Sequence, residues 1–364
     1  MKVLIYLAHP AQYHFFKNPM KLWQEKGHEV KVLIKTKDIL ENLLTSDGIP
    51  YTNIEEHVRK QSKVSILSAS LQRTLQIWKI ARRFHPDVLI STSASIAQTG
   101  WLMRKPAITV LEDDIDVIPN LARLAYPFTR SIVVPAVCKV GKWEHKKIGY
   151  QGYMKLAYLH PKRFVPSREV VAGYGLNQKF ILIRLAQLTA HHDIGIKGLS
   201  HNVLDKIIQM AEERGYCVYI SSEKTLDDSL QKYQLKIDNR DIHHLMAFAS
   251  LLVSDSQSMS VEAAMLGTPS LRYSDFSGRI SVLEELEQKY HLTFGIPTNS
   301  AERLIAKAQE ILSMENPKET FQIRRQKMLD DKIDVTAFIT WFVEDYPKSH
   351  DIMRHTPDYQ NRFK

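Results

Sequence analysis

What this chain lacks narrows it first. No apolar run approaches the roughly 20 residues that a helix needs to span a bilayer, and His9 and Pro10 interrupt the opening MKVLIYLA before a secretory apolar region can form. A cytosolic protein is expected. Only two cysteines occur in 364 residues, Cys138 and Cys217, far apart and each in an apolar, strand-like context. Neither a disulfide framework nor a zinc cluster is supported, and packing is their expected role. The turn after the first strand-like segment, AHPAQYH, lacks a glycine fingerprint, which disfavours a Rossmann oxidoreductase. Zinc-finger, RNA-recognition and basic-zipper patterns are missing too, so nucleic acid is the weakest candidate partner.

What is present is a basic, apolar-rich globular chain. A formal net charge of +9 and a pI near 9.2 favour acidic partners such as a nucleotide, a phosphorylated lipid or an anionic membrane surface. An apolar fraction of 44% over this length suits two domains. Strand-like and helix-like segments alternate throughout, which predicts a parallel α/β architecture. Strands are expected at Lys2–Leu7, Glu29–Ile34, Asp87–Ser91, Ala107–Leu111 and Ser131–Val134, with helices at Phe15–Lys26 and Ser65–Phe84. After the stretch Tyr158–Ser167 the alternation restarts, with strands Phe180–Leu185 and Tyr216–Ser221 and helices Asn202–Arg214, Asp241–Ala249 and Glu302–Met314. The division expected is an N-terminal α/β domain over 1–160, a C-terminal α/β domain over 161–318, a helical segment over 319–346 that packs back on the first, and a frayed polar tail over 347–364. That segment reads as one helix, Thr320–Glu344. Two such α/β halves predict a cleft at the carboxyl ends of both sheets, where open parallel sheets bind ligands.

The most informative stretch is LLVSDSQSMSVEAAMLGTPSL, Leu251 to Leu271. It reads as a buried strand, a turn of small polar residues, a helix opening at Met259 and ending at Gly267, and another strand. A helix N-terminus offers unpaired N–H groups and a partial positive charge, so it can hold a pyrophosphate without metal. Ser256, Ser258 and Met259 offer diphosphate contacts, and Glu262, about one turn into the helix, can accept hydrogen bonds from ribose hydroxyls. Ordinary N-capping by Ser256 or Ser258, with Glu262 as capping partner, explains the same local pattern.

Other residues suit the remaining chemistry. His9 and His14 follow the first strand, where a near-neutral pKa suits a base for an acceptor hydroxyl. His9 is assigned that role, Gln12 binds acceptor hydroxyls, and His14 stands between an acceptor-side role and packing. Glu112, Asp113 and Asp114 end a strand: Glu112 and Asp113 are catalytic candidates and Asp114 an acceptor-side one, although all three equally suit helix capping or solvation. No metal or cofactor is required with a pyrophosphate already held at a helix N-terminus. Arg184, a charge inside FILIRLA, and Lys197, in the loop with His191, His192 and Asp193, can neutralise a leaving diphosphate. An interdomain salt bridge is the competing reading of Arg184. His243, beside His244, is a donor-site candidate or a core histidine. Arg59, Lys60, Lys63, Arg73, Lys79, Arg82 and Arg83 flank Ile66, Leu67, Leu71, Leu75, Ile77, Trp78 and Ile80. That pattern suits either a buried stripe with solvated charge or a peripheral membrane surface.

Several blocks together resemble a known family: YLAHPAQYHFFKNPMKLWQEKGHEV, RTLQIWKIARRFHPDVLIS, GYMKLAYLHPKRF, the HHD of AHHDIGIKGLS, and DIHHLMAFASLLVSDSQSMSVEAAMLGTPSLR. The family is an uncharacterised set of predicted glycosyltransferases, a domain of unknown function in the GT-B superfamily. Relatives there include UDP-N-acetylglucosamine 2-epimerases and lipid-linked sugar transferases. The resemblance implies two Rossmann-like parallel-sheet domains, a UDP-sugar held by the Ser254–Ala264 motif with Glu262 on the ribose, and a glycan or lipid-linked acceptor in surface polysaccharide or glycolipid synthesis. The chain departs from the hydrolysing epimerases by having Ser93, Ala94 and Ser95 where an aspartate is expected, and Pro119, Asn120 and Leu121 in place of a Pro-Glu-Glu segment. Glycosyl transfer is therefore the leading expectation, with a sugar-nucleotide epimerase and a non-catalytic nucleotide-sugar-binding protein as rivals. Oligomeric state is left open.

Overall fold

A computed structural model describes residues 1–36, 39–55, 63–185, 199–222 and 226–364, without the side chains of 55 and 63–69. It divides into two compact units, Met1–Arg163 with Lys332–Lys364, and Phe164–Asp331. Both are α/β units built on wholly parallel sheets.

The first unit carries β1 (Lys2–Leu7), β2 (Glu29–Lys35), β3 (Tyr51–Glu55), β4 (Val88–Ser91), β5 (Ala107–Val110), β6 (Ser131–Pro135) and β7 (Lys147–Tyr150), in the order β3-β2-β1-β4-β5-β6-β7. The uninterrupted apolar run of β1 follows from its central place, with β2 and β4 paired on either side. Helix Lys63–Phe84 lays Ile77, Ala81 and Phe84 against Leu4, Tyr6, Leu33 and Leu89, at the spacing of one helical face. The strand order reverses between β1 and β4, where open α/β sheets place their ligands.

The second unit carries β8 (Phe180–Leu185), β9 (Cys217–Ser222), β10 (Leu251–Ser254), β11 (Ser270–Tyr273) and β12 (Thr293–Ile296), ordered β12-β11-β10-β8-β9. Its reversal lies between β8 and β10. Helix Gln257–Leu266 follows β10 and ends at Gly267, whose φ of +71° suits glycine. Its last carbonyls, those of Met265, Leu266 and Gly267, accept hydrogen bonds from Arg325 and Gln322 of helix Pro317–Asp331.

Several expectations differ from the structure: the first helix begins at Pro10 rather than Phe15, and the helix after β10 begins at Gln257 rather than Met259. The segment read as one helix over Thr320–Glu344 is two, Pro317–Asp331 and Val335–Glu344. Asp334 separates them: it accepts from Ala337 N at 3.0 Å as an N-cap and from Arg163 Nη2 at 2.5 Å. The tail expected to fray instead forms helix Lys348–His355 and a final 3₁₀ turn within the first unit, buried at Met353 and Gln360.

Candidate functional site

In the second unit the candidate residues gather at the β8/β10 reversal. Pairing sets Arg184 of β8 and Arg272 of β11 on either side of Ser254 at the carboxyl end of β10, and Gly295 of β12 completes the row. Residues side by side in a parallel sheet share a face, so two cations flank the strand that feeds helix Gln257–Leu266. Ser256 is the N-cap. Its Oγ accepts from Met259 N at 3.4 Å, while Ser254 Oγ accepts from Ser256 N at 2.8 Å. Gln257 and Ser258 occupy the first two helical positions, where N–H groups have no intrahelical acceptor. The dipole and these donors make the turn an anion-seeking terminus.

The two arginines differ. Arg184 is half-buried and donates from Nη1 to Ser221 Oγ at 2.8 Å. Arg272 is fully buried and donates from Nη1 to Gln257 Oε1 at 3.0 Å, while its Nε and Nη2 have no partner among the described residues. Burial pulls its pKa down to about 10, against the opposing fields of Glu287 and Glu284. Gly295 makes room for it, since a Cβ there would lie 2.4 Å from Nη2. Sequence reasoning missed Arg272, although the signal that singled out Arg184, a charge inside an apolar strand, is present in PSLRY.

Glu262 and His243 are both buried and face each other, with Nε2 and Oε2 3.5 Å apart. His243 also meets the edge of the Phe164 ring, and His244 accepts from Ser167 N at 2.9 Å. Burial lowers the pKa of His244. The loop with His191, His192, Asp193 and Lys197 lies outside the described residues.

The first unit places its candidates at the β1/β4 reversal and after β5. His9 is exposed and caps helix Pro10–Glu25, its Nδ1 accepting from Ala11 N at 3.1 Å. That bond uses the lone pair of the neutral ring and leaves Nε2 as a donor, so proton abstraction by His9 requires loss of the cap. Gln12 accepts from Ala8 N at 2.7 Å and donates to Thr92, joining the loops after β1 and β4. His14 stacks on Tyr158 with ring centroids 5.1 Å apart.

The three acids are not equivalent. Glu112 is buried, bonded to Lys155 Nζ and to Met154 N at 2.8 Å. Asp114 is buried and accepts from Lys139 N at 2.8 Å. Asp113 alone of the three is half-exposed. The cluster's field, after burial itself, drives the nearby Cys138 thiol to a high pKa, which makes it inert.

Two wholly parallel α/β units of this kind define the GT-B class of fold, shared by glycosyltransferases and sugar-nucleotide epimerases. The chain belongs to the family described as "Protein of unknown function (DUF354)", whose model matches residues 1–275. No curated protein matches it in sequence. Among solved structures it is similar to a putative UDP-N-acetylglucosamine 2-epimerase from Listeria monocytogenes, at 13% identity and a TM-score of 0.66 over 88% of this chain and 90% of that one. The UDP-GlcNAc 2-epimerase of Neisseria meningitidis bound to UDP-GlcNAc matches at 14% identity and a TM-score of 0.61, over 91% of this chain and 100% of that one. The spinosyn rhamnosyltransferase SpnG, complexed with spinosyn aglycone, matches at 13% identity and a TM-score of 0.62, covering 93% and 99%. At such identities the likeness establishes the fold.

Proposed function

We propose that the protein is a metal-independent glycosyltransferase that takes a sugar from a nucleotide-diphosphate donor, UDP-linked, and delivers it to a glycan or lipid-linked acceptor in surface polysaccharide or glycolipid synthesis. The observation that carries this reading is the row Arg184–Ser254–Arg272 at the strand-order reversal, leading into the N-terminus of helix Gln257–Leu266. Glycosyl transfer breaks the bond between the sugar's anomeric carbon and the diphosphate, and negative charge collects on the leaving phosphate. The helix terminus, with Ser256, Ser258 and the Met259 backbone, holds that phosphate. Arg184, Lys197 and the field of buried Arg272 offset its charge, so the site needs no metal. Glu262, oriented by His243, accepts the ribose hydroxyls.

In the first unit Asp113, the half-exposed acid of the three, takes the proton of the attacking hydroxyl. His9 donates from Nε2 to an acceptor oxygen, and Gln12 and His14 line the same acceptor side. The UDP-GlcNAc-bound epimerase among the structural neighbours supports uridine as the base.

Thermal unfolding with UDP, GDP, CMP and dTDP tests the donor site. A ligand at about 100 times its Kd stabilises the folded state by about 2.7 kcal/mol. UDP is expected to raise the melting temperature of the native protein, and less so that of Glu262→Ala. No stabilisation by any nucleotide would remove the donor site. Incubating UDP-sugars with and without acceptor then separates transfer from epimerisation, because an epimerase converts the sugar nucleotide alone.

A further inference from the structure

The first unit presents an apolar surface that its core does not use. Seven large apolar side chains are exposed among the described residues, and five lie on three successive helices: Leu71 (62%) and Leu75 (45%) on Lys63–Phe84, Trp101 (60%) and Leu102 (50%) on Ala94–Met103, and Leu124 (40%) on Pro119–Ala125. They form one face. Thr74, between the two leucines, donates to Gln98 Oε1 at 2.8 Å, and Gln98 Nε2 donates to the Leu124 carbonyl at 3.2 Å. Trp101 and Leu102 stand three and four residues beyond Gln98, hence on its side of the helix. The Trp101 ring is held edge-on to Phe128 at 5.5 Å.

The charge around this face has one sign. The three helices contain no aspartate or glutamate, while Lys79, Arg82, Arg83 and Arg123 on them, and Arg104 and Lys105 just after the second, are exposed. Leucines and a tryptophan rimmed by lysine and arginine match a bilayer boundary, where the rings and leucines enter the headgroup region and the cations meet anionic lipid. We propose that this face docks the protein on an anionic lipid surface. The inference does not depend on the donor site.

Co-sedimentation of the full chain tests it, using vesicles of phosphatidylcholine alone and vesicles with about one third phosphatidylglycerol. Native protein is expected to bind the mixed vesicles and to be released by salt, because headgroup attraction is screened. Trp101→Glu/Leu102→Glu and, on a different helix, Leu71→Glu/Leu75→Glu are each expected to lower binding at least about tenfold. Lys105→Gln/Arg123→Gln loses about fivefold for each cation removed. Ile323→Glu, an exposed apolar position of the second unit, is expected to bind as the native protein does. Circular dichroism confirms that each variant is folded. Absent binding by the native protein, or undiminished binding by folded face variants, overturns the proposal. So does a dimer broken by the Trp101/Leu102 variant without vesicle binding, which would assign the face to a second copy of the chain.

Discussion

Replacing Lys155 with methionine isolates a buried electrostatic commitment of the first unit. Glu112 and Lys155 are both buried and bonded to each other, and the second carboxylate oxygen receives Met154 N. Methionine fills most of the space of the lysine stem, so little cavity opens and the loss is electrostatic. Removing one partner of a buried pair costs about 3–5 kcal/mol, because the remaining charge has neither water nor counterion. The surviving bond from Met154 N, worth about 1.5–3 kcal/mol to a charged acceptor, places the expected loss near the lower end. The assay is direct, because all five tryptophans, Trp23, Trp78, Trp101, Trp143 and Trp341, belong to the first unit. Urea unfolding followed by tryptophan fluorescence therefore reports that unit alone. Adding Glu112→Gln removes the stranded charge while keeping an oxygen for Met154 N, and is expected to restore at least half of the loss, a coupling of about 2 kcal/mol. A loss under about 1 kcal/mol for Lys155→Met, or a double variant no better than the single, would refute the reasoning.

The second unit makes a backbone prediction. Gly267→Ala forces a left-handed residue and sets a Cβ 2.4 Å from Gln322 Nε2, against the side chains that cap the helix, so calorimetry is expected to show a loss of about 1–3 kcal/mol. A pH prediction rests on His350, bonded through Nδ1 to Ser131 Oγ at 2.8 Å, whose pKa burial lowers from 6.5. Below pH 6.5 the unfolded chain takes the proton first, so stability contributed above that pH is lost on acidification; His350→Gln is expected to flatten the fall of melting temperature between about pH 7 and pH 5.

Much of this fold is written in local patterns. β1 from Val3 to Leu7 and β8 from Phe180 to Ile183 are continuous apolar runs because each strand is flanked on both sides, and such runs announce themselves. Gly267 announced its helix end for a conformational reason that also operates within a single turn. The failures occur where a local pattern competes with a distant partner. Thr320–Glu344 has helical character throughout, and only the cap and the Arg163 bond of Asp334, 171 residues apart in sequence, show where it breaks. Strands β3, β7 and β12, five residues or fewer, carry too little alternation to be seen alone.

The candidate site follows the same division. The strand, turn and helix from Leu251 to Gly267 were legible because a helix N-terminus is a local object, although the helix opens at Gln257, two residues before Met259. The surroundings of the acids were not: Glu112, Asp113 and Asp114 are equivalent by spacing, and the bonds of Glu112 to Lys155, 43 residues on, and of Asp114 to Lys139, 25 residues on, come from distant segments. His9 is a related case, since its cap on Ala11 N is not visible in the spacing of the sequence. The basic helix Lys63–Phe84 offered one apolar stripe to periodicity, whereas the structure divides it, burying Ile77 and leaving Leu71 and Leu75 outside. A helical period shows that apolar residues share a direction, but neighbouring helices decide which of them the core has room to take. Those it leaves exposed, collected beside cations with no acid among them, are the reason to look for a partner at that face.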